Sequence, residues 1–185
     1  MYAVSRETVQ KTSCLVALLV VLATACTPSR DHGTQAQSSP TVHAVAGGCA
    51  GTQLTDAEPP TWAQGGWIHL KGTPWPVPWA MGAPANAVAF LFATQLVAGV
   101  SPRSDGTNNK VLWVAKDAPT GFAVEGRPEG KTGPLISESG GPSIVDAPSA
   151  GCWTFQLSRV PDGRAISTIN LEVLPPGTSP RGNAN

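Results

Sequence analysis

The chain has 185 residues, with twelve Lys and Arg against twelve Asp and Glu and only 13% charged residues. That balance provides no basic stripe to track phosphates and no acidic tail, so nucleic acid is excluded as a partner class. Gly and Pro are plentiful at 20 and 18, a composition that leans toward disorder, yet six Trp and several β-branched runs supply the apolar matter for one packed core.

The first element in chain order is an apolar run from Leu15 to Ala25, preceded by Lys11 and ending in small residues before Cys26. This is the pattern of a secretory signal peptide. Its eleven residues fall well short of the roughly twenty that a membrane-spanning helix needs. The stretch Leu22-Ala23-Thr24-Ala25-Cys26 resembles the lipobox of bacterial lipoproteins, with Leu22 one place earlier than in its commonest form. The resemblance implies cleavage after residue 25 and a diacylglyceryl group on the Cys26 thiol. It also implies an address, the extracytoplasmic face of the cell membrane, with the membrane itself as partner through the N-terminal lipid. Each buried CH₂ contributes about 0.8 kcal/mol, so two or three acyl chains hold where one is marginal.

Residues 26–48 are polar and rich in Ser, Thr, Gln and Pro, and read as a flexible tether. With Cys14 removed in the signal and Cys26 lipidated, Cys49 and Cys152 remain. Outside the cytoplasm two leftover thiols most simply form a disulfide. Two free thiols are the alternative, and a two-cysteine metal site lacks nearby ligand partners.

Residues 49–174 form the expected domain, and residues 175–185 the expected disordered tail. Short strand signals alternate with turn residues throughout. Residues 66–71 alternate. Ala87–Ala93 is continuously apolar, as a buried central strand would be. Residues 104–109 are a turn cluster, and Val111–Ala115 and Phe122–Gly126 are further strands. Trp153, Phe155 and Leu157 share one face at period two. The turn Pro161-Asp162-Gly163-Arg164 follows, and Ile169, Leu171 and Val173 share a face of the return strand. About seven short strands predict an all-β, two-sheet sandwich. The segment Ala150–Leu157 also resembles the penultimate strand of immunoglobulin-like domains in bacterial surface proteins, which implies an immunoglobulin-like sandwich. Cys49 lies too far ahead of Cys152 for the usual core-crossing bridge, so the disulfide is expected to clamp an N-terminal segment to the sheet. The chain as a whole is similar to small lipoproteins of high-GC Gram-positive bacteria.

Catalytic patterns fail on spacing or context. Gly126–Thr132 places three residues between its glycines where a phosphate-binding loop needs four, and Gly133-Pro134 follows. Ser137–Gly141 approaches a nucleophile elbow, but no His occurs after His69. The remaining feature is aromatic. Trp62, Trp67, Trp75 and Trp79 fall within eighteen residues, and prolines at 74, 76 and 78 predict a stiff, extended loop presenting Trp75 and Trp79. Trp67, His69, Trp75 and Trp79 are therefore the binding candidates. The reading is a non-catalytic binding or envelope-interaction module without a cofactor, whose partner is an envelope protein or a small ligand. The first alternative is a small-ligand or copper carrier using His69 and the Trp-Pro loop, and the next an extracytoplasmic hydrolase. The anchor is directly testable. Cys26→Ser shifts the protein from the membrane fraction to the soluble fraction or leaves it unprocessed, as fractionation and electrophoretic mobility report, and unchanged processing and association would contradict the lipobox assignment.

Overall fold

β-Branched and aromatic runs cut short by Gly, Pro and Asn produce many short strands rather than a few long ones. The computed structural model describes residues 44–66, 77–118 and 121–179. Its strands are β1 (Ala44–Val45), β2 (Leu54–Thr55), β3 (Trp79–Met81), β4 (Ala87–Leu91), β5 (Leu96–Val97), β6 (Lys110–Ala115), β7 (Phe122–Pro128), β8 (Ile136–Ser139), β9 (Gly141–Ile144), β10 (Gly151–Arg159) and β11 (Ala165–Leu174). The helical content of the described residues is one 3-10 turn, Thr61–Gly66. No helix among them is long and apolar enough to cross a membrane.

One sheet runs β1-β2-β3-β4-β6-β9 and the other β5-β11-β10-β7-β8, so the fold is an all-β two-sheet sandwich. It has more strands than the seven expected. The added ones, β1, β2, β3, β5 and β8, are two to four residues long, too short to show a period in sequence. From β4 onward, β4-β6-β9 lie side by side in the first sheet and β7-β10-β11 in the second.

The last hairpin is the spine. Trp153 pairs with Leu171 and Phe155 with Ile169, and these side chains, with Leu157 and Val173, are buried. Their outward neighbours Thr154, Gln156, Asn170 and Glu172 are half-buried, as period two requires. The Trp153 and Phe155 rings lie 6.4 Å apart, and Phe155 meets Trp113 of the facing sheet at 5.2 Å. Both indole N–H groups are satisfied, Trp153 Nε1 donating to the Ser149 carbonyl and Trp113 Nε1 to Ser143 Oγ.

β4 is buried along its whole length, as its unbroken apolar run predicts. Ala87, Ala89 and Leu91 face the space between the sheets. Val88 and Phe90 face the other way, into a second cluster with Trp79, Val77 and Ala63 from the 3-10 turn. The first sheet is therefore covered on both faces.

The disulfide joins Cys49 and Cys152, with Cα atoms 5.8 Å apart, inside the ordinary range. Gly48 bridges to Leu171, and Glu172 N donates to the Gly47 carbonyl, so the Cys49 segment lies along β11. Cys152 alternates with the inward Trp153 and is on the outer face. The bond thus clamps an N-terminal segment to the second sheet and does not cross the core. It closes a separation of 103 residues. In the chain-entropy account a loop of about 100 residues stabilises by about 4–5 kcal/mol. Urea unfolding with and without reductant should show a loss of that order. An unchanged midpoint would mean that the N-terminal segment contributes nothing to global stability.

Candidate functional site

Of the four aromatic and imidazole candidates, Trp67, His69 and Trp75 lie outside the described residues, as does Cys26. Trp79 is described, and it is not presented to solvent. It opens β3, pairing with Phe90 of β4 and Thr55 of β2, and its residue is 7% exposed. Its Nε1 donates to the Ala57 carbonyl at 2.7 Å. The proline pattern does not forbid this strand because Pro78 sits just before it. There a proline needs only its carbonyl, which accepts from Leu91 N at 2.8 Å. The chain therefore enters β3 directly after Pro78, and the indole covers the outer face of the first sheet.

One edge of that indole borders an open cleft of about 550 Å³, walled by Ala50, Thr52, Met81 and Asn170. The wall is fixed locally. Asn170 N donates to Thr52 Oγ1 and Asn170 Nδ2 to the Ala50 carbonyl. Ala50 and Gly51 take positive φ of 45° and 86°, which turns the chain back directly after Cys49.

A second cleft, of about 490 Å³, opens where β6 and β9 meet β7 and β8. Trp113 and Ala115 lie on one side, Phe122 and Gly140 on the other, and Val160 forms a lip. Its shape follows from the crossing between β8 and β9. The chain changes sheets at the single residue Gly140, where a Cβ would fall 2.6 Å from the Phe122 ring. Only glycine lets the backbone lie on that ring. Gly141, at φ 98°, completes the crossing. Val160 is 43% exposed, and Val160 N donates to the Gly121 carbonyl at 3.3 Å, tying two loops together at the rim.

The two clefts lie in different places relative to the incoming chain. Ala44 pairs with Thr55, Thr55 with Trp79, and Trp79 with Phe90. Ala87 and Ala115 pair at the opposite end of β4 and β6, from which the loops carrying Gly121 and Val160 project. The second cleft is thus at the end away from the point where the N-terminal segment joins.

The described side chains of the second cleft are apolar apart from Ser139, which suits burial of an apolar group at about 25 cal/mol per Å². The serines that approach a nucleophile elbow, Ser137 and Ser139, lie in β8, which runs into another strand and not a helix. The glycine-containing stretch 126–132 is the end of β7 and a turn, with Lys131 N donating to the Pro128 carbonyl. No group of three or more His, Cys, Asp or Glu able to hold a metal occurs among the described residues.

Comparison with protein-family models, with characterised proteins and with solved structures finds no significant match to this chain.

Sequence reasoning did not single out Phe122, Gly140 or Val160. The available signal was Gly140-Gly141-Pro142, which marks an abrupt sheet crossing once the strands either side of it are known. The burial of Trp79 has a direct consequence. Trp79→Ala is expected to destabilise the domain by about 3–5 kcal/mol in denaturant unfolding, whereas a binding-surface indole could be removed with the midpoint unchanged.

Proposed function

We propose that this protein is a lipid-anchored, extracytoplasmic binding module that works without catalysis. It takes an apolar group, from an envelope protein or a small ligand, into the cleft beneath Val160. The observation that carries the reading is that cleft: an apolar recess bounded by Trp113, Phe122 and Val160 at the end remote from the N-terminal junction. The signal-like run 15–25 and Cys26 support the anchor. The Ser-, Thr-, Gln- and Pro-rich composition of residues 26–43 supports a tether between that anchor and the domain, whose first strand begins at Ala44.

Aromatic and aliphatic walls with few polar groups favour uptake by desolvation. The cleft's described lining supplies no paired acid and base of the kind that hydrolysis uses. The test uses a neutral fluorophore, Nile red, with the full chain in mild detergent below its micelle concentration. Binding should raise its emission saturably. Val160→Asp places a charge on the exposed lip and should abolish that signal while leaving the unfolding midpoint in place. Equal emission from the variant would sink the assignment of the cleft.

A further inference from the structure

Three cations line a small recess beside the loops of the same end, and none forms a salt bridge with a carboxylate among the described residues. Lys116 follows β6, Arg159 closes β10, and Arg164 precedes β11. With Asn86, Asp117 and Ile166 they line a cavity of about 160 Å³. At about 30 Å³ per water, this is room for roughly five waters, or one small polyatomic ion and its remaining hydration.

The backbone around the recess is firmly held. Lys116 N donates to the Asn86 carbonyl at 2.7 Å, and Arg159 N to the Arg164 carbonyl at 2.9 Å. Arg164 N donates to Asp162 Oδ1 at 3.1 Å, which draws that carboxylate to the turn's own backbone. Asp117 adopts φ 54°, a left-handed conformation that Asp tolerates better than most residues. Its carbonyl accepts from Arg159 Nη2 at 3.2 Å.

Two features mark the recess as unfinished. The salt bridge found among the described residues is Arg103–Asp105, elsewhere in the chain, so no described carboxylate forms an ion pair with Lys116, Arg159 or Arg164. In addition, Arg159 Nε is buried and has no hydrogen-bond acceptor. Buried polar groups are nearly always paired, and a guanidinium N–H more so than most. Nε itself is closed to solvent, so an anion in the recess would meet the exposed Lys116 and Arg164 side chains. Three cations against the carboxylates of Asp117 in the lining and Asp162 at the adjoining turn leave the recess net positive, which suits an oxyanion.

We infer that this recess is a binding site for a tetrahedral oxyanion, a phosphate group either free or carried by a headgroup. The assignment is independent of the apolar cleft, since it uses other residues and another ligand chemistry. The full chain in detergent, titrated calorimetrically with inorganic phosphate, should bind saturably. Lys116→Gln and Arg164→Gln, both at exposed side chains, should each weaken binding by about tenfold, as expected for loss of a charge-assisted contact. Both variants should keep the wild-type unfolding midpoint and Nile red signal. Sodium chloride at matched ionic strength should not substitute for phosphate. Phosphatidylcholine vesicles with and without phosphatidic acid separate the two sources. Capture by the acidic vesicles that free phosphate displaces assigns a headgroup, and phosphate binding without vesicle capture assigns the free ion. Absence of saturable phosphate binding, or binding that both glutamine variants leave unchanged, overturns the site.

Discussion

Every backbone donor and acceptor along β11 needs a partner, and its two sides are satisfied in different ways. On one side it pairs with β10 from Gly151 to Ser158, as consecutive strands of a hairpin do. On the other it meets three separate pieces of chain: Leu96 and Val97 beside Val173 and Leu174, Gly48 beside Leu171, and Ala83 beside Thr168. An uncovered edge of ten residues would template pairing with other chains. Here, covering it also organises the fold. It brings together parts of the N-terminal extension, the turn before β4 and the crossing after β4, and places Cys49 within bonding distance of Cys152.

That arrangement depends on polar details that mimic a strand where none is available. Asn109 is buried, and its side-chain amide exchanges both hydrogen bonds with the backbone of Val97: Nδ2 donates to the Val97 carbonyl and Oδ1 accepts from Val97 N. A side chain thereby pairs one residue of β5 as a neighbouring strand would. Ser101 is held in turn by Asp146, through its backbone N–H and its hydroxyl. These contacts let a two-residue strand persist where its own length would not sustain it.

The covered outer face of the first sheet and the open loop end differ in packing. Val88, Phe90 and Trp79 lie beneath the 3-10 turn and Val77, so that face contributes stability. The opposite end carries the apolar cleft and the cationic recess on either side of the Val160–Gly121 hydrogen bond. Loops at one end of a sandwich can vary in chemistry without disturbing the paired strands behind them, which is why recognition concentrates there.

The amino-acid pattern alone determined the all-β class, the final hairpin and its register, because Trp153, Phe155, Leu157, Ile169, Leu171 and Val173 repeat at period two and period two has one structural meaning. It determined the buried β4 from an apolar run with no polar face, and pointed to the disulfide as the pairing of the two thiols within the domain. It did not determine the role of Trp79. The same Trp-Pro alternation describes an exposed loop or the entry to a strand, and only the carbonyl of Pro78 meeting Leu91 N decides between them. Nor could it assemble the two recesses. Phe122 meets Gly140, and Lys116 meets Arg159 and Arg164, across gaps that local periodicity does not span. Those contacts exist because the strands cross between sheets, and the crossing is set by tertiary packing and not by any one segment's preference.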